Sequence, residues 1–351
     1  MKVSSKPQTS PAAPAGGSQW AKWVTQGGSL LPGLVLTSAI AIAAIALGRA
    51  LGITVLNPLL IAVLLGIGWR HTVGLPQPCR PGVQFAMKRV LRLAVILLGL
   101  RLSMAQVLAV GPMGLIIVVS STVSTFYLTC WLGRWLHINR KLTHLIAAGT
   151  SICGAAAVVA TNAVVDSSEE DMTYAVATIT GFGTLAMLIY PLLGAAAELS
   201  PETFGIWCGA SIHEVAQVIA TAFQNGAVSG ELATITKLAR VLLVIPIMVS
   251  LSYQNSPEGA GQRPRPIPIP WFVLFFCGLV IINSFNVVPE GIRAIVLTSN
   301  QFLLCMSLAA LGLETNLARL TRLGMKPIYL AGLSWLFLAL VSLTMIHLLY
   351  R

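Results

Sequence analysis

The sequence predicts an all-α polytopic membrane protein with about eleven transmembrane helices. Three observations predict it. Hydrophobic residues make up 56% of the 351-residue chain and charged residues 9%. A soluble domain carries about 25% charge, so this chain could not cover a globule with polar surface. Apolar runs of membrane-crossing length recur from residue 30 to the end. The net charge of +11 is spread through short loops between those runs. That is the pattern of membrane topology, and it argues against nucleic-acid binding.

The elements follow in order. Residues 1–29 are rich in Pro, Ser, Gly and Gln, carry Lys2, Lys6 and Lys22 as charges, and are expected to form a disordered cytoplasmic tail. Residues 30–351 are expected to form the membrane domain. No small-residue cleavage site follows the first apolar run, which is read as a retained span. The candidate spans are 30–48, 53–69, 86–102, 107–133, 143–165, 172–197, 203–224, 231–252, 271–288, 292–313 and 327–349. The second is short and begins at Asn57-Pro58, so it is expected to be tilted or interfacial.

Lys and Arg set the orientation. With the N-terminus in the cytoplasm, cytoplasmic segments hold sixteen of the twenty-two basic residues. The opposite face holds four: Arg49, Arg101, Arg293 and Arg351. This asymmetry predicts N-in and C-out, with the acidic loop 166–171 outside. Arg89, Arg92, Arg319, Arg322 and Lys326 are expected to be cytoplasmic anchors. The six cysteines form no CxxC, and no disulfide framework, metal site or cofactor is expected from them.

One motif occurs twice. Gly149-Thr-Ser-Ile-Cys-Gly-Ala-Ala-Ala-Val-Val-Ala-Thr161 matches Gly209-Ala-Ser-Ile-His-Glu-Val-Ala-Gln-Val-Ile-Ala-Thr221 at seven of thirteen positions. Gly and hydroxyl residues inside apolar runs suit an interrupted helix, which persists in a membrane where it lines a cavity. Two related broken elements point to a secondary transporter with inverted repeats and a site between them. With a single crossing at 172–197, however, the two copies would run parallel. Three explanations stay open: that crossing is not single, one copy is re-entrant, or the motifs converged. A second echo, Leu93–Arg101 against Leu304–Glu314, ends each time in Leu-Gly-Leu before a charge. These two run in opposite directions, as an inverted repeat requires.

The candidate site comes from these motifs. Gly149, Thr150, Ser151, Cys153 and Gly154 suit an unwound segment that offers backbone N–H groups and hydroxyls to an anion. Close packing by small residues is the alternative. Gly209 and Ser211 repeat the pattern. His213 can carry a proton near neutral pH, and Glu214 can exchange one; the alternative is a hydrogen-bonded structural pair. The pair shares no helical face unless the helix is unwound there. Gln217 shares a face with Glu214. Lys237 and Arg240 lie one turn apart inside a span. They either bind an anion and balance charge, with Glu214 as a partner, or snorkel to the interface. Asn162, Asn300 and Gln301 are expected to hydrogen-bond between helices. The string His-Glu-Val-Ala-Gln lacks the second His of a zinc protease, and no GxxxxGK[ST] loop is present.

Four of these stretches carry a resemblance: Gly149–Gly154, His213–Gln217, Arg92–Leu102 and Lys237–Arg240. Together they resemble the bacterial YeiH-type inner-membrane proteins, a family labelled as sulfate exporters, over nearly everything from residue 30 onward. That family is similar to the group of bile-acid symporters and NhaA-like antiporters. The resemblance implies two inverted five-helix repeats, a panel domain, and a core domain whose discontinuous helices cross near mid-membrane. It implies a homodimer by kinship alone. The functional expectation is a carrier for a small inorganic anion, sulfate or a related sulfur oxyanion, with protons as coupling ion. A sodium/proton-type cation antiporter using Glu214 is the alternative, and a membrane-embedded enzyme or sensor is a third. Membrane lipids are expected to surround the chain, and no nucleic-acid partner is expected.

Overall fold

The computed structural model describes residues 19–51, 58–254, 271–315 and 325–350, and these form helices and turns with no strand among them. In chain order the helices are α1 (Gln19–Leu51), α2 (Pro58–Thr72), α3 (Arg80–Phe85), α4 (Leu91–Leu98), α5 (Met104–Trp135), α6 (Arg140–Ala148), α7 (Ala155–Val165), α8 (Glu169–Ala196), α9 (Pro201–Ser211), α10 (Val215–Ala222), α11 (Ala227–Leu242), α12 (Val244–Gln254), α13 (Trp271–Ser284), α14 (Glu290–Glu314) and α15 (Met325–Leu349). Each expected span has a helical counterpart. α1 begins inside the segment assigned to the tail. Residues 1–18 lie outside the described residues, as do Arg319, Arg322 and Arg351.

Six segments are long and apolar enough to cross a membrane: Ser29–Ala50, Gly111–Trp135, Glu169–Ala196, Ala227–Ser252, Glu290–Glu314 and Met325–Leu349. The ends follow local chemistry. Asn139, Ser168 and Ser200 cap α6, α8 and α9 through their side chains, which satisfies N–H groups the first turn leaves open. Glu169, Glu170 and Asp171 sit in the first turn of α8, where the helix dipole favours negative charge. Gly111, at φ 61°, breaks α5 just before Pro112.

Two of the eleven expected crossings are corrected. At the start of α6, Lys141 donates from Nζ to the carbonyl of Asp166, just past α7, at 2.7 Å. The segment 143–165 therefore enters and returns; it does not cross. The second motif does the same from the opposite end. A Cβ on Gly205 or Gly209 of α9 would meet the backbone of Ser229 or Ala233 of α11. α9 and α11 thus run in the same direction, so α10 between them must reverse. α8 supplies the ruler. Thr180 donates to Glu214 at the second tip, and Ile179 packs on Gly149 at the first. Both tips reach the same level of α8 from opposite ends.

Among the described residues, two hairpins thus stand in place of two of the expected crossings. The two motif copies run antiparallel, because each consists of a tip and a returning helix. The acidic loop 166–171 lies at the same end as Lys141, not opposite it, and loop 198–202 moves to the other end. Neither loop contains Lys or Arg. The sixteen-to-four asymmetry is unchanged by the correction, which is why charge counting could not detect the hairpins.

The helices pack as two groups. α1, α2, α3, α4, α13 and α14 contact one another, as do α5 to α12 with α15. The first group is held by close backbone approach: a Cβ on Gly66 would stand 2.4 Å from the Ala309 carbonyl, and one on Gly33 2.1 Å from that of Cys79. Small residues permit such contacts, and packing of this kind drives association in lipid. The seam between groups runs mainly along α2, α10 and α14.

The hairpins predict a labelling pattern. In a cysteine-free variant in oriented vesicles, Lys141→Cys and Ser168→Cys are expected to react with an impermeant maleimide from one side. Glu202→Cys is expected to react from the other. Labelling of Lys141→Cys and Ser168→Cys from opposite sides would restore a single crossing at 143–165.

Candidate functional site at the meeting hairpin tips

The first tip is a widened turn. The N–H of Gly154 donates to the Gly149 carbonyl at 2.9 Å, spanning five residues where a regular helix spans four. Gly154 then adopts φ 72°, ψ −137° and becomes the N-cap of α7, a conformation that only glycine adopts without strain. A Cβ there would lie 2.6 Å from Cγ of Glu214 and 3.4 Å from the His213 carbonyl. The tips therefore touch at Gly154. The second tip is extended: Ile212 has φ −76°, ψ 146° and Glu214 has φ −106°, ψ 148°. This unwinding frees His213 and Glu214 from the helical angle that would have separated them.

Breaking two helices exposes their last carbonyls inside the protein. Lys237 and Arg240, one turn apart on α11 and both 0% exposed, take them. Lys237 Nζ donates to Ile152 O at 3.0 Å and to Ile212 O at 2.8 Å. Arg240 Nε donates to Ser151 O at 2.6 Å, Nη1 to Ile212 O at 3.0 Å, and Nη2 to Thr150 O. The two cations neutralise the negative dipole ends of both broken helices. They do not snorkel. Nor do they pair with Glu214: the one ion pair among the described residues is Arg101–Glu231.

Glu214 serves the opposite dipole. Its carboxylate caps α10 and Gln217 reciprocates, the Glu214 N–H donating to Gln217 Oε1 at 3.1 Å. Thr180 Oγ1 donates to Glu214 Oε1 at 2.8 Å. Gln217 also reaches the Thr180 carbonyl at 3.3 Å. It is thus a positioning residue for Glu214. Glu214 itself is half-buried.

The expected anion donors divide. Ser151 Oγ donates to Ala147 O at 2.6 Å and Ser211 Oγ to Trp207 O at 2.5 Å. Each spends its hydroxyl proton one turn back, so neither donates to a solute in this conformation. Gly149 and Gly209 are packing glycines: a Cβ would meet Ile179 Cδ1 at 2.0 Å and Ala233 O at 2.5 Å, respectively. Thr150 Oγ1 and His213 Nδ1 are buried without a hydrogen-bond partner. Cys153 is 8% exposed at the turn, and α7 has no side-chain cap. The structure thus brings Thr150, Cys153, Gly154, His213, Glu214, Lys237 and Arg240 together. Asn162 instead accepts from Ser167 below α7, while Asn300 and Gln301 lie on α14, away from the tips.

Sequence reasoning missed one participant at the tips, Thr180, and one ion pair away from them, Arg101–Glu231. Thr180 looks like any hydroxyl in an apolar helix. Glu231 is an acid at the edge of an apolar run, and Arg101 a cation at the end of another; nothing local pairs them across 130 residues.

The profile of the family described as Conserved hypothetical protein 698 matches residues 32–331. The chain is 39% identical over 311 residues to the UPF0324 inner membrane protein YeiH of Escherichia coli K12, covering 86% of this chain and 89% of that protein. The chain belongs to this family. The same inner membrane protein from Salmonella typhi is 39% identical over 321 residues, 88% of this chain and 91% of that one. A UPF0324 membrane protein of Bacillus cereus ATCC 14579 is 36% identical over 304 residues, with 86% and 89% covered. The family relatives from enteric bacteria are inner membrane proteins, in keeping with the six membrane-length helices here. No solved structure matches the chain.

The tips predict two stability effects. Gly154→Ala is expected to cost about 1–3 kcal/mol through backbone strain, with the Glu214 clash added. It should lower the melting temperature in detergent, whereas Gly68→Ala, with open space around its Cβ, should not. Arg240→Met is expected to lower it further than Lys237→Met. It abandons three carbonyl bonds against two, at about 1–3 kcal/mol per orphaned group. Equal melting temperatures for all four variants and the parent would show that the tips contribute nothing to stability.

Proposed function

We propose that the chain is a secondary transporter for a small inorganic anion, sulfate or a related sulfur oxyanion, coupled to protons through Glu214. One observation carries the anion reading: the formal charge where the tips meet. The two half-helix C-termini contribute about −0.5 each and the two N-termini about +0.5 each, and these cancel. Lys237 and Arg240 outweigh Glu214, leaving one positive charge. Lys237 sits ten residues into α11, roughly 15 Å from its start at 1.5 Å per residue, which is half the thickness of a bilayer core. A net charge at that depth is costly unless a counter-charge joins it. A mobile anion is such a counter-charge, and Thr150 and His213 are buried polar groups with capacity to spare.

The choice of sulfur oxyanions rests on the resemblance to proteins labelled as sulfate exporters. Antiparallel copies of one motif, entering from opposite ends, suit an inverted-repeat carrier. So do the antiparallel α4 and α14. In this reading the group containing the tips moves against the other group along the seam. A second reading, a sodium/proton-type antiporter, is favoured by the half-buried Glu214 carboxylate beside the first tip.

Counterflow separates them. Proteoliposomes preloaded with unlabelled sulfate, sulfite or thiosulfate are expected to accumulate the labelled anion without any ion gradient. An imposed pH gradient should alter net uptake in the parent but not in Glu214→Gln, which should keep counterflow. Sodium uptake with proton release, indifferent to all three anions, would replace the anion reading with the second.

A further inference from the structure

At the end of the molecule where α11 begins, the seam between the two helix groups opens into a cavity of about 340 Å³. It is separate from the hairpin tips. Most of its wall is apolar: Leu98 and Leu304, 2% and 5% exposed, line it together with Leu59, Phe223 and Leu297. Besides Gln301 of α14, three polar elements interrupt that wall. Arg101 borders it, its guanidinium 5.4 Å from the centre of the Phe223 ring and its Nε donating to Glu231 Oε1 at 2.7 Å. Asn300 borders it too, 2% exposed, with its side-chain Oδ1 buried and without a hydrogen-bond partner. The third is the start of α11, where Gly226 at φ 98° is the N-cap and no side chain caps the helix.

These features decide the ligand class. The size and the apolar wall fit a small organic molecule, since ligand pockets span about 300–1,000 Å³ and are mostly apolar with a few placed polar groups. A bare inorganic ion would leave that wall unused. The polar groups select the sign. The guanidinium has four N–H donors besides Nε, and the first turn of α11 offers backbone N–H groups with a positive dipole end. The Asn300 amide can turn to present its NH₂. Glu231 cancels the formal charge of Arg101, so directional donors hold the ligand and not excess charge, which suits a single negative charge. We infer that this cavity binds a small organic monoanion, a carboxylate or sulfonate joined to a compact apolar body. The headgroup lies between Arg101, Asn300 and the α11 N-terminus, and the body lies against Leu98, Leu304 and Phe223. The site does not require that the chain transports sulfate.

Thermal unfolding of the purified protein tests it, because a ligand of the folded state raises the melting temperature by mass action. The probes are benzoate, benzenesulfonate and uncharged benzyl alcohol. Both anions are expected to raise the melting temperature in a saturable way, and benzyl alcohol is not. Arg101→Gln should abolish the rise. Should loss of the Glu231 pair prevent folding of that variant, Ala227→Phe decides alone: it places a ring in the cavity from an exposed position and leaves Arg101 intact. It should melt like the parent and show no rise with either anion. A full rise in Ala227→Phe, or an equal rise with benzyl alcohol, overturns the site. Sulfate counterflow by the same preparations bears only on the hairpin tips, so the two proposals fail independently.

Discussion

Two cations on one helix make the middle of this protein buildable. A hairpin that stops halfway through a membrane strands the last carbonyls of its first helix where no water can reach them. Here two such hairpins meet, and four of their carbonyls converge on Lys237 and Arg240. The residue types divide the work. Arg240, with a planar fork of donors, spans three carbonyls across both tips, while Lys237 contributes a point charge between Ile152 and Ile212. Neither cation would be tolerable alone at this depth, and neither would the broken helices. Each removes the other's cost.

The same constraint explains the neighbours. With the negative helix ends satisfied by cations, the positive end of α10 takes Glu214. Glu214 must pass over Gly154 to do so, which leaves no room for a side chain there. Thr180 on α8 donates to the Glu214 carboxylate, while Gln217 in the first turn of α10 accepts from the Glu214 backbone N–H. α8 is uninterrupted, the continuous helix against which both interrupted ones are registered. Polar atoms that do not serve this arrangement, Thr150 Oγ1 and His213 Nδ1, stand beside it unpartnered. They are two of nine such buried side-chain atoms among the described residues.

Much of this was legible. Composition and apolar runs identify a membrane protein because lipid tolerates few charges. The doubled Gly-x-Ser-Ile motif locates both tips, since only small residues permit the turn and the close approach. The spacing of Lys237 and Arg240 puts them on one face. What was not legible follows from the same physics. Hydropathy registers how much apolar sequence lies in a row, and two half-length helices folded back read like one crossing. Loop charge could not correct the error, because 166–171 and 198–202 carry no Lys or Arg. Ser151 and Ser211 looked like ligand donors until their protons proved to be spent on Ala147 and Trp207.

The sequence by itself determined that this chain lives in a membrane, where its helices break, and which ionisable residues lie near the breaks. These are properties of residue type and local spacing, and they need no partner. Only the tertiary structure decided that the broken segments turn back, that their tips face each other, and that Lys237 and Arg240 answer to carbonyls instead of to Glu214. Those outcomes depend on which distant groups can satisfy a buried dipole, and that is settled by packing between elements, not by any one of them.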